Sequence, residues 1–199
     1  LLIMFTGIIQ NFGLIKLINE GLYEISTNMD LIDCEEGASI SCNGVCLTAT
    51  NIIRNNKLYS FDVNIGEETL QRTNLKKCVM NKSKINIEKS LTIGDEIGGH
   101  FVYGHVDITT FLVKVINLKN SWEYHFKKDF GNDNRFIAEK ASISINGISL
   151  TIAKVYKDYF KISVIDHTYR KTNLQFLEIG DQVNIEFDYL ARFITKNEK

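Results

Sequence analysis

The sequence lacks any concentration of charge of one sign. Its 199 residues carry 23 Lys and Arg against 24 Asp and Glu, a net charge of −1, and both signs are spread along the chain. Nucleic-acid-binding domains usually show a basic patch or stripe, and solvating tails show runs of like charge. We therefore expect neither a nucleic-acid partner nor an acidic tail.

Long apolar runs are also missing. The opening stretch LLIMF (Leu1–Phe5) is apolar over only five residues, which is too short for a signal-peptide core or a membrane span. No other run approaches spanning length. The sequence thus predicts a cytoplasmic protein without a membrane partner, with Met4 as the natural start.

Motifs for metals, phosphates and nucleotides are absent as well. The four cysteines, Cys34, Cys42, Cys46 and Cys78, show neither CxxC spacing nor a His-rich partner segment. Zinc sites normally combine such elements, so we expect free thiols in a reducing compartment. No P-loop, GxSxG, GxGxxG or paired-carboxylate signature occurs, which argues against the functions that these motifs carry.

What the sequence does contain is an internal repeat. SISCNGVCLTAT (Ser39–Thr50) returns about 100 residues later as SISINGISLTIA (Ser142–Ala153). Further pairs keep the same order: TGI with YGH, YSFDV with FKISV, RTNL with KTNL, and INIE with VNIE. Two similar blocks indicate duplication and fusion, because solenoids need more copies.

Each block is patterned for strands. Short alternating runs rich in Ile, Val, Thr and Phe are separated by Gly or Asn, which is typical of antiparallel barrels or sandwiches. Short helices are predicted at GEETLQRTNL, at DHTYRKTNL and in the tail YLARFITKNEK, where Leu190, Phe193 and Ile194 share one face. The polar interval Lys119–Phe136 predicts an edge strand plus a surface loop. The sequence predicts two tandem β-barrels with a helical tail and a boundary near Leu91–Gly99.

Differences between the copies locate candidate chemistry. Cys46 of the first copy is replaced by Ser149 in the second, and GGHFVYGH places His100 and His105 where the first copy has no histidine. A histidine pair is typical of structural roles, acid/base chemistry or a metal site, but zinc would need more ligands than nearby Asp107 supplies. The residues alone predict a small polar molecule bound in each half.

Five motifs in register resemble the α-chain type of riboflavin synthase: MFTGI, NGVCLT, ETLQRTNL, GDEIGGHFVYGHVD and NGISLT. The resemblance runs from Met4 to the tail. It implies an all-β fold of two similar six-stranded antiparallel Greek-key barrels plus a short C-terminal helix. Lumazine-binding barrels are expected at residues 4–96 and 97–188, and a helix for oligomerisation at 189–199.

The resemblance also implies a reaction. Members of this family pass a four-carbon unit between two molecules of 6,7-dimethyl-8-ribityllumazine, giving riboflavin and 5-amino-6-ribitylaminouracil without cofactor or metal. It implies a homotrimer whose active sites lie between the N-terminal barrel of one subunit and the C-terminal barrel of the next. The alternative is a non-catalytic lumazine- or flavin-binding protein of the same fold.

Matching positions assign the site residues that the resemblance implies. The candidate catalytic residues are His105, which leads in proton transfer, Cys46, Ser39 and Ser149. The candidate substrate-binding residues are Phe5, Thr6, Gly7, Ile8, Thr48, Thr69, His100, Gly104, Lys140, Asn146, Thr151, Ile165, Thr168 and Asp188. Of these, His100 is expected mainly to orient its loop.

Three departures from the family pattern bear on function. Asn146 stands where the family often has Asp, and an amide cannot act as a base. CVMNKSK (Cys78–Lys84) replaces a Gly-Asp turn before the last strand of the first copy, which predicts a loosened hairpin. The C-terminal helix is short, and isolated helices of this length are marginal, so a trimer held by it is expected to be weak.

Overall fold

The first unit is a ring of antiparallel strands. The computed structural model describes residues 4–196, with side chains as far as Arg192. The strands are β1 (Asn11–Asn19), β2 (Leu22–Thr27), β3 (Ser39–Cys42), β4 (Val45–Thr48), β5 (Thr50–Asn55), β6 (Leu58–Asn64) and β7 (Lys84–Lys89). They pair in the order β4-β3-β7-β1-β2-β6-β5.

The second unit is a closed barrel of six antiparallel strands. These are β8 (Ile108–Leu118), β9 (Ser121–Lys127), β10 (Ser142–Ile145), β11 (Ile148–Val155), β12 (Tyr159–Ile165) and β13 (Gln182–Phe187). They pair in the order β10-β11-β12-β9-β8-β13. The predicted all-β fold of tandem barrels is confirmed.

The first unit has one strand more than predicted because one strand is broken in two. Only Ala49 separates β4 from β5, β4 pairs with β3, and β5 pairs with β6. The register shifts between Thr50 and Ile53, where Asn51 has a positive φ of 48°. The unbroken strand β11 occupies this place in the second barrel, so the bent β4–β5 pair completes the first ring.

Two local predictions are wrong. Strand β9 is hydrogen-bonded on one side to β8 and on the other to β12, so it is not an edge strand, and closure of the barrel removes that edge. Residues Cys78–Lys84 do not form a loosened hairpin, since most of them lie in helix α2 (Leu75–Asn81). Lys82 follows the helix in a left-handed backbone conformation, and its N–H caps the last turn by donating to the Cys78 and Val79 carbonyls.

Short helices lie close to the predicted segments. Helix α1 (Glu67–Arg72) precedes α2, and α3 (Asp166–Lys171) and two 3₁₀ turns belong to the second unit. The tail forms α4 (Tyr189–Lys196). Of its predicted apolar face only Leu190 has a described side chain, which is 64% exposed. The side chains of Phe193 and Ile194 lie outside the described residues. No helix within residues 4–196 is long and apolar enough to cross a membrane.

The opening segments of the two repeats cross between the barrels. Each barrel has its own apolar core, but Ile9 from the first repeat packs in the core of the second barrel. In return Val106 packs against the core of the first barrel. Between them Phe5 and Val102 exchange two backbone hydrogen bonds of 2.8 and 3.0 Å. The two units are therefore exchanged at their first residues.

Buried asparagines form a seam between the barrels. The members are Asn43, Asn74, Asn86, Asn146, Asn173 and Asn184, each at most 3% exposed. The Asn74 amide donates to Asn146 Oδ1 at 3.2 Å, and the Asn173 amide donates to Asn43 Oδ1 at 3.0 Å. These two bonds are related by the repeat. Since a buried amide without partners is costly, the seam fixes how the barrels face each other.

Candidate functional site

Two equivalent sets of polar residues lie on paired strands. In the first barrel Ser39 of β3 lies opposite Thr48 of β4. In the second, Ser149 and Thr151 lie on β11, where Thr151 faces Ser142 of β10. Residues two apart on a strand point to the same side. The repeated motif thus builds one polar patch on each barrel.

The crossing segments complete each patch with a glycine. The Gly7 carbonyl accepts a hydrogen bond from the Ser149 N–H at 2.9 Å, and the Gly104 carbonyl accepts one from the Cys46 N–H at 2.9 Å. Both glycines have positive φ, 74° and 75°. A Cβ on Gly7 would lie 2.5 Å from the Ser149 nitrogen, and one on Gly104 would lie 2.6 Å from the Cys46 Cβ. Only glycine fits either position.

In the second barrel Ser149 is paired with a histidine. Its Oγ lies 2.7 Å from His100 Nδ1. Burial lowers the pKa of His100, against the smaller opposing effect of the Asp188 carboxylate. The imidazole is therefore neutral at neutral pH and can accept the hydroxyl proton. Thus His100, and not the expected leader His105, is brought against another candidate catalytic residue.

His105 lies differently. Its side chain is exposed, and its backbone N–H donates to Glu186 Oε2 at 2.9 Å. It stands one residue after Gly104 and hence beside the Cys46 patch. Its predicted proton-transfer role stays a prediction.

The first barrel offers a thiol instead. The Cys46 thiol is half-buried, with the Ser39 hydroxyl close enough to affect its pKa. Burial raises the pKa of Cys46, more than the Ser39 hydroxyl lowers it. The thiol is thus protonated at neutral pH and is not a thiolate nucleophile. The two patches share a scaffold and differ in their reactive groups.

The remaining predicted residues fall into two groups. The partly or fully exposed ones are Ile8, Thr48, Thr69, Lys140, Thr151, Ile165, Thr168 and Asp188. Buried with internal partners are Phe5, which pairs with Val102, Thr6, whose hydroxyl donates to Glu88 at 2.9 Å, and Asn146 in the seam. For these three side chains the structure gives an internal position, so a direct substrate contact remains only a prediction.

A cleft opens beside the first crossing segment, whose Thr6, Ile8 and Gln10 line it. Its volume is about 880 Å³, and its walls include Ser39 from the first patch and Ile8 and Gly98 from the neighbourhood of the second. Clefts of 300–1,000 Å³ hold drug-sized ligands. The space next to the predicted residues is thus large enough for a bicyclic ring.

Sequence reasoning missed two buried carboxyl groups. Glu88 on β7 and Glu186 on β13 end the repeated INIE and VNIE stretches, and they are 3% and 6% exposed. Burial raises the pKa of each to about 7, although backbone N–H groups donate to both and favour the charged form. The signal was present, since a charged residue repeated inside an apolar strand pattern needs a partner.

These carboxyl groups predict a loss of stability as the pH rises. Their ordinary pKa is 4.5. Between that value and about 7 the folded chain holds protons that the unfolded chain has released, so the free energy of unfolding falls with rising pH. A rise of the pKa from 4.5 to about 7 corresponds to about 3 kcal/mol per group. Urea unfolding across this window should show a steeper fall for the native chain than for the Glu88→Gln/Glu186→Gln variant; equal slopes would contradict the assignment.

Comparison with known proteins places these features in a family. The model of the lumazine binding domain matches the chain twice, at residues 6–90 and 103–188. Riboflavin synthase of Actinobacillus pleuropneumoniae is 37% identical, covering 96% of this chain and 88% of that protein. Riboflavin synthase of Brucella abortus is 37% identical, with 97% of each chain covered. That of Bacillus subtilis is 35% identical over 97% of this chain and 91% of its own length.

A solved structure shows the same fold. LumP complexed with riboflavin superimposes with a TM-score of 0.77 at 24% identity, covering 92% of this chain and 99% of LumP. With two matched lumazine binding domains and full-length relatives above 30% identity, the chain belongs to the riboflavin synthase family.

Proposed function

We propose that this chain converts two molecules of 6,7-dimethyl-8-ribityllumazine into riboflavin and 5-amino-6-ribitylaminouracil. One lumazine gives up its four-carbon unit and the other receives it, so the atoms of the two substrates are all found in the two products. The activity named for the full-length relatives supports this reaction. The proposal includes no cofactor and no metal.

One observation carries the proposal: two related patches with unlike reactive groups. A reaction between two identical molecules in different roles needs two similar pockets that differ chemically. The patch at Cys46 carries a neutral thiol beside the Ser39 hydroxyl, and the patch at Ser149 carries a hydroxyl hydrogen-bonded to a neutral His100. We assign one lumazine to each barrel, with the barrels at the proposed ranges 4–96 and 97–188.

The residues contribute positioning and proton transfer. Two ring systems held in a fixed orientation react with an effective molarity that can reach about 10⁵ M or more. The methyl group of the lumazine is itself acidic, so a base of ordinary strength suffices. The His100–Ser149 pair supplies such a base, because a neutral imidazole can take a proton through the serine hydroxyl.

We also propose a cytoplasmic homotrimer in which each active site joins patches from two subunits. The exposed apolar side chains of Ile8 (50%), next to Gly7, and of Ile165 (62%), at the end of β12, support a covering neighbour, since such surfaces mark interaction sites. The four free cysteines agree with a reducing compartment. Light scattering of the purified chain gives its mass in solution and would contradict the trimer if only monomer is found.

The test of the proposed reaction is anaerobic incubation of the purified chain with 6,7-dimethyl-8-ribityllumazine in the presence of a chelator. Riboflavin and 5-amino-6-ribitylaminouracil are expected in equal amounts, with two lumazine molecules consumed for each riboflavin formed. Tight binding of unchanged lumazine would contradict the proposal and favour a binding protein of the same fold.

A further inference from the structure

Each patch is built partly by a segment that belongs to the other repeat. The segment Phe5–Gln10 starts the first repeat, but Gly7 meets Ser149 and Ile9 lies in the second core. The segment 102–107 starts the second repeat, but its Gly104 meets Cys46 in the first barrel. The geometry of each site therefore depends on how the other repeat's segment is held.

A carboxyl group on the last strand of each repeat holds that segment. Glu88 accepts from the Thr6 N–H at 2.8 Å, the Thr6 hydroxyl at 2.9 Å and the Gly7 N–H at 3.1 Å. Glu186 accepts from the Tyr103 N–H at 2.7 Å and the His105 N–H at 2.9 Å. Glu88 is thus hydrogen-bonded to Gly7 itself, and Glu186 to the two residues that flank Gly104. These are the two glycines whose carbonyls accept from the Ser149 and Cys46 N–H groups.

We propose that Glu88 and Glu186 are positioning residues that act crosswise. Glu88, carried by the first barrel, fixes the segment that shapes the Ser149–His100 patch of the second. Glu186, carried by the second barrel, fixes the segment that shapes the Cys46 patch of the first. Any effect of these two residues on the rate of riboflavin formation rests on the proposed function. Their effect on the geometry of the opposite patch does not.

Several features indicate that the two carboxyl groups hold the crossing segments in one fixed position. Both carboxyl groups are buried, and hydrogen bonds to an ionisable acceptor in such surroundings are strong and directional. The two glycines are packed directly against the opposite strand, because a Cβ at Gly7 or Gly104 would collide with it. A shift of the segment by a fraction of an ångström therefore moves the Gly7 or Gly104 carbonyl away from the N–H that it accepts.

The experiment replaces each carboxyl group separately with its near-isostere, Glu88→Gln and Glu186→Gln. Glutamine keeps the size but turns one acceptor oxygen into a donor that faces a backbone N–H. A Cys34→Ser background removes the other partly exposed thiol, since Cys42 and Cys78 are buried. Alkylation of Cys46 then reports on the first patch, and the NMR titration of His100 reports on the second.

The expected result is a crossed pattern. Glu186→Gln should speed alkylation of Cys46 by about tenfold, as for loss of one strong hydrogen bond. The midpoint of the His100 titration should not change. Glu88→Gln should move the lowered His100 titration towards its ordinary value and leave Cys46 unchanged. Each variant is thus the control for the other.

Other outcomes overturn the proposal. If each variant changes the patch of its own barrel, or if both variants change both patches equally, the carboxyl groups do not act crosswise. Should Glu88→Gln fail to fold, Thr6→Val removes the hydroxyl that donates to Glu88 and accepts from the Ile8 N–H, and it leaves the backbone N–H bonds to Glu88 in place. It should still shift His100 alone; no shift would contradict the proposal. Because both readouts need no substrate, a chain without synthase activity could still show the crossed pattern, which separates this inference from the proposed function.

Discussion

Replacement of His100 by glutamine should lower the rate of riboflavin formation by about 10²- to 10³-fold, the usual loss for a positioned general base. The reason is the 2.7 Å contact between His100 Nδ1 and Ser149 Oγ, made by an imidazole whose lowered pKa keeps it neutral. Steady-state kinetics should show the loss mainly in kcat, because glutamine keeps a polar side chain that still fills the site.

The pH profile makes this prediction more specific. A neutral imidazole is the active form, so the native rate should fall only as the pH drops below the ordinary histidine range, and the acid limb should disappear in His100→Gln. The matched control is His105→Gln, whose imidazole is exposed. A larger loss for His105→Gln than for His100→Gln would return the leading role to His105.

Replacement of Asn184 by leucine should lower the free energy of unfolding by about 2–4 kcal/mol, because a buried hydrogen-bond network loses one member. Asn184 donates to the Asn43 carbonyl at 2.8 Å and accepts from the Asn74 N–H at 2.7 Å. Leucine has a similar size, so the variant leaves these two groups without partners across the seam.

Urea unfolding measures this loss as a shift of the midpoint. The control is Asn64→Leu at the exposed end of β6, which should change the stability by less than about 0.5 kcal/mol. If Asn184→Leu is as mild as this control, the seam does not contribute to stability in the way described.

The repeat and its alternating strands were enough to predict two barrels, because those patterns are local. Strand Ile148–Val155 shows this, since its alternation and the Asn-Gly turn before it are visible in the sequence alone. The break at Ala49 was not visible, because a bulge depends on the pairing of both neighbours. The helix at Leu75–Asn81 was missed because Gly-Asp at the same place in the second repeat suggested a turn.

The site was predicted less completely, because its partners lie far apart in sequence. The motif Asn146-Gly147 indicates a tight turn, and Asn146 does adopt a positive φ of 49°. The hydrogen bond that its Oδ1 accepts from the Asn74 amide across the seam could not be predicted from either repeat. The packing of Ile9 in the second core and of Val106 against the first could not be predicted for the same reason, because each contact joins residues far apart in sequence. His105 was placed first from the family resemblance, and the sequence could not show that His100 lies against Ser149.

The most direct test of the synthase mechanism is the isotope pattern of the product. The purified chain is given equal amounts of unlabelled lumazine and lumazine carrying heavy carbon throughout its four-carbon unit. Mass spectrometry should find riboflavin with none, one or two labelled units in a ratio of one to two to one, because each riboflavin combines units from two substrate molecules. Riboflavin without the mixed species, or no riboflavin at all, would contradict the account.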